Sequence, residues 1–255
     1  MDDKNSTGRF SNRVSNYTKY RPGYPVAIVD YLEGEQWLEP GDIIADIGAG
    51  TGISSRLFLE RGYHVLAVEP NNDMRAMADT LLQHFEKFRS IAGTAEHTTL
   101  ADNSIDAVIM AQAFHWFNNS ATREELKRIL KPKGAVVVIW NERLTATDFE
   151  RAYDELIIRH STDYVKVDHR NIDYEHIKAF FAPNNCVQKI FPNHQDFDFD
   201  GLKGRLLSSS YVPNRGDDGY DAMIKDLQIL FDQYQQDDMI RINYSSIVYT
   251  SQLEQ

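Results

Sequence analysis

Between residues 43 and 140, short apolar runs alternate with amphipathic stretches of helical period, and this alternation leaves few folds open. Residues 43–47, 64–69, 90–92, 105–111 and 135–140 are apolar runs too short for helices. Turn residues bound them, and they read as buried strands. Residues 54–61, 73–88 and 122–130 read as the intervening helices. In the second of these, Met74, Met77, Leu81, Phe85 and Phe88 recur at helical spacing. Strand–helix–strand successions of this length need right-handed crossovers, so the expected fold is α/β. It is a Rossmann-like, mostly parallel sheet with helices on both faces.

The alternation weakens after Asn141. Residues 149–160, 174–181, 201–210 and 221–235 have helical periodicity, while 186–191 and 239–249 are rich in β-formers. At the other end an aromatic and basic segment, 10–25, carries Tyr17, Tyr20, Arg21 and Tyr24. It precedes a helix opened by Pro25 and stopped by Pro40-Gly41. No internal repeat or low-complexity linker divides the chain. The expected organisation is one domain of 1–255: an N-terminal lid segment and helix (1–40), a ligand-binding core (41–143), and a helical cap with the final strands (144–255).

Composition narrows the partners. Against 27 Lys and Arg stand 38 Asp and Glu, a net charge of −11. Phosphate backbones and anionic membranes select basic surfaces, so neither nucleic acid nor membrane is expected as a partner. The single cysteine, Cys186, permits no internal disulfide and no cysteine-rich zinc site. His160, His169 and His176 follow no metal-ligand spacing, and no metal is expected. Residues 1–10 are polar and charged, and no run approaches the ~18 apolar residues of a membrane span. A cytoplasmic protein is the expectation. Nothing in the sequence speaks to oligomeric state.

The turn after the first core strand carries the chemistry. Asp46-Ile47-Gly48-Ala49-Gly50-Thr51-Gly52 joins strand to helix, and its glycines permit a tight turn and close approach of backbone to ligand. The helix start offers unpaired N–H groups at the carboxyl ends of the strands, where open parallel sheets bind ligands. Glu69 ends the second strand, the usual distance on for an acid that bonds ribose hydroxyls. A dinucleotide fingerprint would need its third glycine where Ile53 stands, and Asp46 suits a cationic ligand better than a pyrophosphate.

With these residues in place, the chain resembles the class I S-adenosylmethionine-dependent methyltransferases. Residues 46–52 resemble their first motif, and Val68-Glu69-Pro70-Asn71 their second. Gly93-Thr94-Ala95-Glu96, with 102–106, resembles the region these enzymes place around adenine. Residues 111–117, with Gln112, His115 and Trp116, resemble the loop after the fourth strand in the type 11 branch. That branch includes ubiquinone-biosynthesis-like and trans-aconitate-methyltransferase-like enzymes. Tyr20-Arg21-Pro22-Gly23-Tyr24-Pro25 resembles the branch's N-terminal segment. Relatives often have Asp where Thr94 stands, which moves the adenine contact towards Glu96 or the backbone of Ala95.

The resemblance implies S-adenosylmethionine as cofactor and a seven-stranded sheet whose last strand is antiparallel. It implies that Gly48, Ala49, Gly50 and Gly52 make room for the methionine part, that Asp46 orients the loop and the ammonium, and that Glu69 takes the ribose hydroxyls. Pro70, Thr94, Ala95, Glu96 and Gln112 line the same site. Met74 either covers one adenine face or packs in the core. His115 is either a general base or a packed histidine.

Arg21 is a candidate partner for a carboxylate of the cofactor or of an acidic substrate, or else forms a surface ion pair. Arg143 is a second carboxylate candidate, with Tyr17, Tyr20, Trp116 and Tyr211 as aromatic pocket walls. The Ser208-Ser209-Ser210-Tyr211 stretch also resembles the branch, with no evident role. The expected reaction is methyl transfer to a small acidic or polar-aromatic acceptor. Two rivals stand beside it: a nicotinamide-dependent oxidoreductase and a cofactor-binding protein without activity. Against the oxidoreductase count the glycine spacing, Asp46, and the lack of a Tyr-x-x-x-Lys pair near the fourth or fifth strand.

Overall fold

The structure, a computed structural model, describes residues 18–116, 119–161 and 174–254. In chain order its elements are α1 (Ala27–Gly34), β1 (Ile43–Ile47), α2 (Ile53–Glu60), β2 (His64–Val68), α3 (Asn72–Leu82), β3 (Phe88–Ile91) and β4 (Ile105–Ala111). A 3₁₀ turn (Phe114–Trp116) leads to α4 (Ser120–Ile129), β5 (Leu130–Arg143), α5 (Asp148–His160) and α6 (Tyr174–Phe181). The chain ends with β6 (Val187–Phe197), α7 (Phe199–Leu207), α8 (Tyr220–Tyr234) and β7 (Ile240–Gln252). The seven strands form one sheet in the order β3-β2-β1-β4-β5-β7-β6. Strands β1 to β5 pair in parallel, and the last strands run antiparallel. The Rossmann-like α/β expectation holds.

Two compact units interleave in the sequence. Among the described residues, the first comprises 23–116, 119–141, 174–191 and 246–254, the second 18–22, 142–161 and 192–245. In the first unit, alternate residues of each strand feed opposite faces of the sheet, as period-2 geometry requires. Ile44, Ala107 and Ile109 meet Ile28 and Leu32 of α1, Phe58 of α2 and Leu82 of α3. Their neighbours Ala45, Val108 and Met110 meet Leu126 and Ile129 of α4 and Ile177, Phe180 and Phe181 of α6. The second unit has its own core, in which Tyr153, Leu202, Leu206, Met223, Leu227 and Ile242 are almost fully buried. Within it the Tyr20 ring lies flat against α7. A Cβ on Gly204 would come 2.1 Å from a Tyr20 ring carbon, so only glycine fits there.

Two elements differ from the periodicity. Helix α3 ends at Leu82 rather than Phe88, because Phe85 and Phe88 close successive turns onto Leu82 and Phe85 carbonyls (2.9 and 3.0 Å), and Phe88 opens β3. Both phenylalanines face the core, so the helical spacing persists through a turn that is not helix. Strand β5 begins at Leu130, five residues before the apolar run. Leu130 pairs with Ile105 and Ala135 with Ala107, so residues 131–134 form an irregularity between them. Lys133 takes φ +67° there. Pro132 and Gly134 sit within this bulge.

Candidate functional site

Strand β1 lies between β2 and β4, and Asp46 pairs in register with Ala67 and Ile109. At its carboxyl end the chain turns through Gly48, Gly50 and Gly52 with φ of +71°, +58° and +83°, the left-handed region that residues with a Cβ enter only at a cost. The amides of Gly48 and Ala49 donate to the Val68 carbonyl (2.9 and 3.2 Å). Gly52 is the N-cap of α2 and gives it no side-chain cap. A Cβ on Gly50 would meet nothing within 4 Å, whereas one on Gly52 would come 2.5 Å from Leu82 Cδ1. The loop is therefore open at Gly50 and closed against α3 at Gly52.

Two carboxylates flank this loop. Asp46 is fully buried. One of its oxygens, Oδ2, accepts hydrogen bonds from the Ser54 and Ser55 hydroxyls, each at 2.6 Å, and Oδ1 has no partner among the described residues. Burial pushes its pKa up to about 6 against those two hydroxyl bonds. Glu69 is 9% exposed. Its Oε2 accepts from the Gly50 amide (3.0 Å) and its Oε1 from the Asn71 amide (2.9 Å). Burial raises its pKa too, against both amide bonds. Asn71 caps α3 by accepting from Asp73 and Met74 amides at 2.9 and 3.0 Å. Arg75 reaches back to the carbonyls of Glu69 (2.7 Å) and Pro70 (3.1 Å). Met74 is 4% exposed, yet it lies outside the apolar cluster that takes up Ala78 and Leu82 of the same helix.

This donor set fits S-adenosylmethionine. Space opens beside a glycine that a side chain would fill, a carboxylate stands ready for hydroxyl donors, and an unpaired buried carboxylate oxygen favours a cation nearby. A pyrophosphate would meet two acids here.

The Gly93–Thr98 turn supplies the next residues. Thr94 and His97 exchange backbone bonds at 3.1 and 3.2 Å. Ala95 is buried, while Thr94 and Glu96 are exposed, and Glu96 accepts from Asn119 Nδ2 at 3.1 Å. A Cβ on Gly93 would sit 2.9 Å from the Thr98 carbonyl oxygen, so the turn closes tightly on itself. Behind it, Glu125 accepts from the Thr98 amide (2.7 Å) and hydroxyl (2.6 Å) and from two Arg128 nitrogens (2.8 and 2.7 Å).

That Arg128 fork, with the Thr98 bonds, holds the Glu125 pKa down to about 2, well below the usual carboxylate range. A depressed carboxylate contributes stability that is present above its unfolded pKa and lost as pH falls through the native one. Wild-type protein should therefore lose on the order of 2–3 kcal/mol more than Glu125→Gln between pH ~5 and ~2. Urea midpoints across that window measure the difference. Parallel curves for the two proteins would show that Glu125 does not anchor this turn.

After β4, Gln112 takes φ +57°, donates through Nε2 to the Asn141 carbonyl (2.9 Å), and keeps Oε1 buried without a partner among the described residues. A strained, non-glycine backbone at a strand end marks a place where geometry is held for use. The 3₁₀ turn presents His115 and Trp116, both exposed. The His115 ring lies 4.5 Å from Trp116 and edge-on to Trp140 at 5.4 Å. Desolvation lowers the His115 pKa to about 4. Because β1, β2 and β4 are parallel, the 48–52 loop, Glu69, Gln112 and His115 all follow the same sheet edge.

The remaining predicted residues lie in the second unit. Arg21 donates through Nη2 to the Ser208 carbonyl at 3.1 Å. Arg143 pairs with Asp154, and its guanidinium stands over the Tyr153 ring at 5.0 Å. Tyr211 is buried in the apolar core, and Tyr20 packs on Gly204. Tyr17, Phe117 and His169 lie outside the described residues. Among the described residues, no three His, Cys, Asp or Glu side chains stand close enough to hold a metal, and no helix is long and apolar enough to cross a membrane. Sequence reasoning missed Ser54, Ser55, Asn71, Thr98, Glu125 and Arg205. Asn71, one residue before α3, was legible as an N-cap. The others carry no local signal.

A family model described as "Methyltransferase domain" matches residues 45–138. An uncharacterised methyltransferase-like protein of Schizosaccharomyces pombe is 26% identical over 96% of this chain and 95% of its own length. An uncharacterised methyltransferase of Mycobacterium tuberculosis is 36% identical over 59% of each chain. Among solved structures, a proposed type II methyltransferase from Anaeromyxobacter dehalogenans superposes with TM-score 0.69 at 22% identity, covering 92% of this chain and all of that one. An S-adenosylmethionine-dependent methyltransferase from Geobacter sulfurreducens, solved with S-adenosyl-L-homocysteine, superposes with TM-score 0.55 at 15% identity over 96% and 98% of the two chains.

Proposed function

We propose that this chain is a class I S-adenosylmethionine-dependent methyltransferase and that it transfers the methyl group to a small-molecule acceptor that carries an acidic group. The carrying observation is the open glycine loop, with the Gly50 amide held at 3.0 Å by the carboxylate of Glu69. Gly48, Ala49, Gly50 and Gly52 form the cradle for the methionine part. Asp46 sets the loop through Ser54 and Ser55 and places negative charge beneath it. Glu69 receives the ribose hydroxyls. Pro70, Met74, Thr94, Ala95, Glu96 and Gln112 line the adenosine end.

When bound, the cofactor supplies a methyl group already activated on a sulfonium, so the protein's task is alignment and exclusion of water. A carboxylate acceptor needs no base. An acceptor with a proton on its nucleophile does, and His115, in the turn that follows β4, is the candidate by position. Trp116 and Trp140 orient its ring. The net charge of −11 supports a small molecule over nucleic acid.

The rival oxidoreductase reading gains nothing from Tyr174 and Lys178, the Tyr-x-x-x-Lys pair on α6. Tyr174 donates to the Cys186 carbonyl (3.4 Å) and stacks on Tyr249, while Lys178 pairs with Glu175. The test is calorimetric titration with S-adenosyl-L-homocysteine and with the nicotinamide cofactors. A methyl-transfer screen over carboxylates, phenols, quinone precursors, tRNA and protein follows it. We expect binding of the first ligand only, and turnover among the small molecules. Turnover of tRNA or protein alone would sink the acceptor class, and tight nicotinamide binding would sink the reaction.

A further inference from the structure

Among its described residues, the second unit buries an arginine with no acid against it. Arg205, in the last turn of α7, is 7% exposed. Its Nε donates to the Tyr244 hydroxyl at 3.1 Å, and its Nη1 donates to the Ser208 and Ser209 hydroxyls at 3.4 Å each. Among the described residues, no carboxylate lies within ion-pair distance of it. The other buried charges of this unit are accounted for. Arg143 pairs with Asp154. Glu150 accepts amide bonds from Ala146, Thr147 and Asn243. Arginine does not shed its proton when buried, and the penalty for burying an unpaired charge is several kcal/mol. Neutral hydroxyls and the carboxyl end of α7 offset only part of that.

Beside it stands an unused donor. Tyr153 is 1% exposed, its hydroxyl is buried, and that hydroxyl makes no hydrogen bond among the described residues. The ring is fixed, stacked on Phe149 at 5.7 Å with Arg143 over it. Arg205, Arg143, Tyr211 and Tyr244 are its electrostatic neighbours. Burial pushes the Tyr153 pKa up to about 12, so the hydroxyl keeps its proton to donate. Arg21 approaches the same end of α7 through the Ser208 carbonyl. A buried guanidinium without counter-charge and a buried hydroxyl without acceptor lack the same thing, an anionic oxygen pair.

We propose that Arg205 and the Tyr153 hydroxyl form a subsite within this unit that binds the carboxylate of a small acid. The planar guanidinium fork matches a carboxylate, and one uncompensated positive charge matches a monoanion better than a phosphate dianion. Ser208 and Ser209 position Arg205, which accounts for their place in the sequence.

The experiment uses the full chain as wild type, Arg205→Gln and Tyr153→Phe. Acetate, succinate and benzoate are titrated calorimetrically against the corresponding amides and inorganic phosphate. Methyl transfer to small acids and their amides is scored alongside, and S-adenosyl-L-homocysteine affinity is measured for each protein. We expect acids to bind and amides not to. Acid affinity should fall roughly tenfold to a hundredfold in Arg205→Gln and about fivefold or more in Tyr153→Phe, with cofactor affinity unchanged. Tyr153→Phe removes an oxygen that bonds nothing among the described residues, so it decides the matter if Arg205→Gln does not fold. Equal binding of amides, preference for phosphate, no binding of any acid, or acid affinity unchanged in Tyr153→Phe would each overturn the subsite. Arg205-dependent acid binding in a chain that ignores S-adenosyl-L-homocysteine would leave the subsite standing and sink the methyl-transfer reading instead.

Discussion

Gly50→Val should fold and yet lose at least ~100-fold in affinity for S-adenosyl-L-homocysteine. Gly50 sits at φ +58°, where a β-branched residue is strained by roughly 1–2 kcal/mol, a tolerable fraction of a domain's stability. Its new Cβ would meet nothing within 4 Å, so no protein atom has to move to admit the methyls. The same emptiness means that the side chain occupies the volume set aside for ligand, next to the amide that Glu69 holds. Circular dichroism and a thermal melt establish folding, and calorimetry reads affinity. A folded variant that binds as tightly as wild type would remove the loop from the cofactor site. Gly52 lacks this separation of fold from binding, because a Cβ there would come 2.5 Å from Leu82.

Glu69→Ala should weaken the same ligand by about 1.5–3 kcal/mol, the range for hydrogen bonds to a charged group. Glu69 has two ways to act. It offers lone pairs to ribose hydroxyls, and it fixes the loop through the Gly50 and Asn71 amides. An analogue lacking the ribose hydroxyls tells these apart. If the carboxylate bonds the ribose, the variant's loss for this analogue will be much smaller than for S-adenosyl-L-homocysteine. Equal losses for the two ligands would place Glu69 among the residues that only shape the loop.

How far each part of the site was legible depends on how local its cause is. The bounds of β1, β4 and α6 follow from the sequence alone, since each is an apolar pattern punctuated by turn residues. The glycine turn and Glu69 were legible for the same reason: a tight left-handed turn demands glycine wherever it occurs. The partners of Asp46 were not. Ser54 and Ser55 look like ordinary first-turn residues until α2 folds back over β1 and brings both hydroxyls within 2.6 Å. Arg143 read as available for a substrate carboxylate, but the packing of α5 supplies Asp154 to it.

The sequence by itself determined the layer architecture, the strand that carries the glycine loop, and the acid that follows on the next strand. Each rests on hydrophobic period or backbone dihedral preference, which act between residues a few positions apart. Only the tertiary structure decided that β7 inserts between β5 and β6, since strand order is set by which edges remain to be paired. It alone grouped residues 18–22 with 142–161 and 192–245. It alone left Arg205 buried without an acid among the described residues, because the charges that meet a side chain are contributed by segments far away in the chain. Tyr153, Tyr244 and Ser208 come together around that guanidinium from three separate elements. No periodicity connects them; the burial of a shared apolar core does.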